Sequence, residues 1–184
     1  MSFDFKNAPP AELKREYNRI ATEIGDDRFF TKKELRHLPS ILANGEQVLA
    51  FTSGLMEGRT WLITLTDRRI IFLDKGLIFG LKQTSIDLDK VNAISGETGL
   101  FLGTIQIEDG ARQRQIKNVW KKSVVRFTNK ARDAMELRKH PVQVQRSDPD
   151  DVVTKLDRLA KLVQQGVLTQ QEFEQQKTKL LAAP

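Results

Sequence analysis

Residues 59–74, R-T-W-L-I-T-L-T-D-R-R-I-I-F-L-D, decide the fold. Trp61, Ile63 and Leu65 alternate with Leu62 and Thr64, the period of two that puts successive side chains on opposite faces of a strand. Arg69–Leu73 is β-branched and apolar, and Thr66-Asp67-Arg68 between the two runs supplies turn chemistry. The stretch predicts a hairpin of two strands, Arg59–Leu65 and Arg69–Leu73.

Working outward, Val48–Phe51 predicts a strand before the hairpin, followed by a loop over Ser53–Gly58. After the hairpin, Lys75-Gly76 turns the chain into a long strand, Leu77–Leu88, with Gly80 as a bulge or bend. Val91–Ser95, Leu100–Ile107 and Gln113–Val119 follow, separated by Gly96–Gly99 and by Asp109-Gly110, a strong hairpin dipeptide. About seven closely spaced strands predict an antiparallel meander curling towards a barrel.

Helical patterns flank this sheet. Pro9 and Pro10 suit a first helical turn; Leu13, Tyr17, Ile20, Ala21 and Ile24 recur at helical spacing, and Gly25 can end the helix. Thr31 and Glu34 form a capping box, with Phe30 and Leu35 as its hydrophobic staple. Leu35, Leu38, Ile41 and Leu42 would face a core, with Pro39 as a kink and Asn44-Gly45 as the closing turn. After the sheet, Trp120, Val124, Phe127, Ala131 and Met135 form one helical stripe that could plug the open end of the bent sheet, Trp120 in its first turn.

His140-Pro141 ends that helix, and a polar tract to Asp151 reads as an extended linker. Val152, Leu156, Leu159, Leu162 and Val163 then form another stripe, closed by Gly166. Thr169 with Glu172 is a capping box and Leu168 with Phe173 a staple; Phe173, Lys177, Leu180 and Leu181 continue one face. So short a helical pair cannot bury much of a core alone. The division expected is a helical extension (1–45), a sheet with its capping helix (46–140), a linker (141–150) and a helical hairpin (151–184).

The chain has 184 residues, no cysteine and a formal charge of +6. The charge is local: residues 120–147 hold eight basic and two acidic side chains, and the rest of the chain balances. No apolar run approaches the roughly 18 residues of a membrane span, and the first residues lack the pattern of a signal peptide. The absence of cysteine removes disulfides and thiolate metal sites, so the cytoplasm is the expected compartment, with the membrane periphery as the alternative.

Four features could carry function. Leu55 and Met56, between two glycines, could present an exposed apolar pair to a membrane or a partner, or fold back over the barrel rim. The basic helix 120–139 could hold nucleic acid or anionic lipid through Lys122, Arg126 and Lys130. Its charges lie on both sides of the apolar stripe without interleaved aromatics, which suits a solvated face better. Arg68 and Arg69 could bind an anion, although a local Asp67–Arg pair in a tight turn is the commoner arrangement. Leu156, Leu159, Phe173 and Leu180 give the tail an apolar face for another chain. His37 and His140 lack metal-ligand spacing, and Asp87-x-Asp89 is too weak a signal for catalysis. No catalytic residue, metal or cofactor is expected.

Two stretches resemble known families. F-F-T-K-K-E-L, L-P-S-I-L and N-G-E (within 29–46), L-T-D-R-R-I-I-F-L-D-K-G and L-I-F-G-L-K (65–82), and I-D-L-D-K-V-N-A-I-S with T-G-L-F-L-G-T-I-Q-I (86–107) resemble, in order, the bacterial pleckstrin-homology-like (PH-like) family of the YokE type. G-V-L-T-Q-Q-E-F-E-Q-Q-K-T-K-L-L (166–181) is similar to the short C-terminal (SHOCT) domain. The resemblance covers roughly three-quarters of the chain. It implies a mainly β fold with helices: a strongly bent, seven-stranded antiparallel barrel capped by a helix, with N-terminal helices and a C-terminal helical hairpin. It also implies a lipid- or protein-binding platform whose tail supports oligomerisation or partner contact. Phosphoinositide binding is not supported, because the matching segment F-T-S-G-L-M-E-G-R-T-W offers only Arg59 among basic residues and contains Glu57. The expected role is a non-enzymatic scaffold that binds protein or associates with itself; nucleic-acid or anionic-lipid binding through helix 120–139 is the alternative.

Overall fold

The computed structural model describes residues 2–26, 32–75, 80–110, 112–139, 156–157, 159–163 and 169–182. Strands β1 (Val48–Met56), β2 (Arg59–Thr66), β3 (Arg69–Lys75), β4 (Leu81–Asp87), β5 (Val91–Thr98), β6 (Leu102–Asp109) and β7 (Gln113–Trp120) make one sheet in the order β4-β3-β2-β1-β7-β6-β5. All its pairings are antiparallel, and it stays open between β4 and β5. Helices α1 (Pro10–Ile24) and α2 (Lys32–Ile41) precede it and α3 (Lys121–Lys139) follows. Met1–Pro141 form one compact unit and Val142–Pro184 a second. In the second, residues 156–157 and 159–163 are helical and α4 spans Gln170–Ala182.

The predicted central hairpin is β2–β3, in register at Leu62 with Leu73 and Leu65 with Ile70. Its turn is held from a distance. The fully buried carboxylate of Glu46 accepts from Arg69 Nε and Nη2, both at 2.9 Å, and from the Ala43 N–H at 2.8 Å. Thr66 Oγ1 lies 2.9 Å from the same carboxylate and accepts the N–H groups of Arg68 and Arg69. Asp67 accepts the Gln47 N–H, and Arg68 donates to the Asn44 carbonyl. The local Asp67–Arg pair expected from the turn does not form, because Glu46 offers Arg69 a drier, bidentate partner.

Both faces of β2 are buried from Trp61 to Thr66. The reason is a second covering layer. Phe51 on β1 meets Tyr17 of α1 edge-on at 5.9 Å, and Tyr17 stacks on Phe5 at 6.1 Å, so α1 and the N-terminal residues roof that face. On the opposite face Phe72 lies under the Arg114 guanidinium of β7 at 5.5 Å. Phe5, Tyr17, Ile20 and Ile24 therefore share one core with the sheet and with Phe127 and Ala131 of α3. Burial in this layer pushes the Tyr17 phenol well above its usual range.

Several element boundaries depart from expectation: Gly96–Thr98, read as turn, continue β5, and β6 starts at Leu102 and leaves Leu100 and Phe101 in the turn. Ser53–Met56, read as loop, continue β1, and the turn is Glu57-Gly58, both left-handed at φ 53° and 74° as a two-residue hairpin requires. Strand β4 starts only at Leu81, after Gly80 at φ 94°; residues 76–79 lie outside the described residues. Trp120 ends β7 instead of opening α3, and it stays 43% exposed where the helical stripe placed it in the core. Val124, Phe127, Ala131 and Met135 do plug the sheet as predicted. Helix α2 runs through Pro39 to Ile41, while Phe30, Thr31, His140 and the linker 141–150 lie outside the described residues.

Candidate functional site

The β1–β2 turn and the β6–β7 hairpin border a groove of about 630 Å³, lined by Leu55, Glu57, Trp61, Arg112, Arg114 and Lys117. Asp109 shapes the second border: its carboxylate accepts the Arg112 N–H at 2.8 Å and pairs with Arg114. Trp61 donates its indole N–H to the Met56 carbonyl at 3.0 Å, fixing the floor. Met56 is buried and Leu55 half-buried, so this turn does not present an exposed apolar pair: both residues belong to β1. Arg59 reaches Asp74 at 3.6 Å.

The groove's charge is mixed. Arg112 and Lys117 are exposed on one side and Glu57 on the other, while Arg114 is committed to Asp109 and Phe72. Alternating signs with an apolar floor suit a polar peptide edge better than a dense cluster of phosphates. Sequence reasoning named Leu55, Met56 and Arg59 here and missed Arg112, Arg114 and Lys117. Their signal was cross-strand placement, which spacing along the chain does not reveal.

The basic helix is organised differently from a nucleic-acid surface. Arg126 donates to the Glu23 carbonyl at 2.6 Å and the Thr22 carbonyl at 3.5 Å, at the C-terminal end of α1 where helix carbonyls favour cations. Lys130 pairs with the Glu23 carboxylate at 2.5 Å and donates to the Leu49 carbonyl at 3.2 Å. The Lys130 hydrogen bond, opposed in part by burial, holds the Glu23 carboxyl below its usual range. Lys122 lies over Gly25, where an added Cβ would come within 3.1 Å of the lysine Cβ. Together these side chains dock α3 onto α1, and two of the three cations proposed for a polyanion are already engaged.

His37 lies beside Ser40 Oγ at 3.4 Å, and Asp87 and Asp89 fall on a strand end and the 3-10 turn Leu88–Lys90, not on one strand face. Among the described residues no three His, Asp or Glu side chains gather to hold a metal, and no helix is long and apolar enough to cross a membrane.

In the second unit the capping box forms as read. Thr169 Oγ1 accepts the Glu172 N–H at 3.3 Å, and the Glu172 carboxylate accepts the Thr169 N–H at 2.9 Å. Leu156, Leu159, Leu162, Val163 and Phe173 are all only half-buried. Leu168 and the side chains of Leu180 and Leu181 lie outside the described residues.

Residues 42–133 match the bacterial PH domain profile, and residues 154–181 the short C-terminal domain profile. The chain belongs to the bacterial PH domain family. The open seven-stranded sheet closed by α3 is this bacterial PH domain, and the helical hairpin is its SHOCT domain; modules of both kinds are generally non-catalytic. Among solved structures, the chain is similar to a DUF1696 family protein with a pleckstrin-homology domain from Shewanella loihica PV-4. That match has 17% identity over 56% of this chain and 94% of the other, with a TM-score of 0.42. A pleckstrin homology domain from Shewanella amazonensis SB2B matches at 18% identity over 57% of this chain and 97% of the other, TM-score 0.42. No curated protein matches.

Proposed function

We propose that this protein is a non-enzymatic scaffold in which the bacterial PH domain presents a protein-binding surface and the SHOCT hairpin drives self-association. The observation that carries the reading is the state of the hairpin's leucines. Leu156, Leu159, Leu162 and Phe173 form its apolar positions, yet none of its described side chains is fully buried. An element of this size with a half-wet apolar stripe is completed by burying that stripe against another copy. The groove between the β1–β2 and β6–β7 turns, with its mixed charges around Leu55 and Trp61, is the protein-binding surface of the same reading.

Replacing Leu159 and Phe173 by serine tests the self-association. Each removes about 1.5–3 kcal/mol of apolar burial from an interface, so the pair is expected to weaken association by a hundredfold or more while the sheet's thermal transition stays in place. Analytical ultracentrifugation of wild type and variant reads this directly. Equal association constants would remove the hairpin from the assembly.

The alternative through Lys122, Arg126 and Lys130 has less support, since Arg126 and Lys130 already hold α1.

A further inference from the structure

We infer that the tip of the β5–β6 hairpin, with Trp120 beside it, is a membrane-contacting element that inserts Leu100 and Phe101 into the surface of an anionic bilayer. Leu100 is 78% and Phe101 70% exposed, at the apex of a four-residue turn. Single exposed apolar residues are ordinary. Here four come from one place, the hairpin tip and its ladder partner: Leu100, Phe101, Leu102 and Trp120.

Backbone geometry holds these side chains out. The Gly99 N–H donates to the Leu102 carbonyl at 2.8 Å and closes the turn, and the Lys121 N–H donates to the Phe101 carbonyl at 3.0 Å, tying the tip to the first turn of α3. Leu102 pairs across the ladder with Trp120. At the base, a Cβ on Gly103 would lie 2.2 Å from the Glu97 carbonyl, so β5 and β6 approach too closely for any side chain there. The apex is a braced projection and has no slack with which to fold its leucine and phenylalanine back.

The tip carries the side-chain types that a bilayer surface accepts. Leu100 and Phe101 lead, at the level of the acyl boundary; Leu102 and Trp120 follow, and tryptophan favours the headgroup interface. Exposed Lys121, whose N–H donates to the Phe101 carbonyl, adds a cation at the rim of the tip for lipid phosphates. Glu97 is held back along β5 by Gln106 at 3.5 Å. A convex apolar apex with a lysine at its rim complements an anionic, yielding surface, whereas a protein partner would need a matching cavity. The site is separate from the groove between the β1–β2 and β6–β7 turns, and it does not depend on the SHOCT hairpin.

Flotation of the full chain with vesicles tests this. Wild type is expected to float with an equal mixture of phosphatidylcholine and phosphatidylglycerol, about tenfold or more weakly with phosphatidylcholine alone, and progressively less as salt rises. Emission from Trp120 should shift to the blue on binding, while the buried Trp61 changes little. The double variant Leu100→Ser, Phe101→Ser should lose about tenfold or more of the partitioning with an unchanged circular dichroism spectrum. Lys121→Gln should lower binding to the anionic mixture alone. The proposal is overturned if wild type floats with neither vesicle, or if the apolar double variant floats as wild type does. It is equally overturned if that variant changes only the mass in solution, which would mark the tip as a protein contact.

Discussion

Replacing Glu46 by alanine is expected to remove about 3 kcal/mol of folding stability, the cost of breaking a buried ion pair from one side. Glu46 has no solvent exposure along its side chain and Arg69 retains 22%. The substitution would therefore leave the Ala43 N–H without its acceptor and the guanidinium with only the Ile41 carbonyl, though water can still reach part of Arg69. A shift of the urea midpoint at unchanged slope measures the loss. Glu46→Gln keeps the shape and removes the charge, and it should fall between wild type and alanine.

The same carboxylate predicts an acid sensitivity. Burial alone would raise its pKa, but hydrogen bonds from Arg69, the Ala43 N–H and Thr66, with the Arg69 charge, outweigh this and hold it below the usual glutamate range. A folded-state pKa below the unfolded one contributes stability that is complete above the unfolded value of about 4.3 and is lost as pH falls through the folded value. Stability of the wild type should drop across that window more steeply than that of Glu46→Gln. Parallel pH profiles would contradict the assignment.

The second large effect is expected at Gly54, where alanine should cost about 2–3 kcal/mol although only a methyl is added. A Cβ there would lie 2.3 Å from Ile116 Cγ2, 2.9 Å from Val119 Cγ2 and 3.0 Å from the Lys117 carbonyl. This is the seam of the fold: β1 meets β7 at Leu55 and Lys117, joining the two halves of the sheet. The loss comes from sterics across the seam, since Gly54 is not among the glycines with positive φ. Gly58→Ala, in the turn four residues on, meets no neighbour within 4 Å and carries only the strain of φ 74°. It should cost about 1 kcal/mol, the price of a left-handed alanine. Thermal unfolding of the two variants separates the seam from the turn.

Gly54 also shows where reading the sequence stops. In S-G-L-M-E-G both glycines look like loop punctuation, and only the approach of β7 makes the first a packing residue inside a strand. The meander itself was legible because its signals are local: alternation in Trp61–Leu65, the Asp109-Gly110 turn, the Thr169–Glu172 capping box. Glu46 and Arg69, twenty-three residues apart, leave no such signal. Trp120 misled for a related reason. It continues the helical stripe of Val124 and Phe127, yet the ladder with Leu102 claims it for β7 and turns it outward. The contacts of Arg126 and Lys130 with α1 likewise leave no trace in the composition of the basic helix.

The central claim is that the SHOCT hairpin assembles copies of a bacterial PH domain. Its most direct test is the mass in solution, by light scattering across a concentration series, of the full chain and of a chain ending at residue 147. The account predicts an oligomer for the full chain and a folded monomer for the truncated one. A full chain that is monomeric throughout, or an oligomer that survives the truncation, would contradict it.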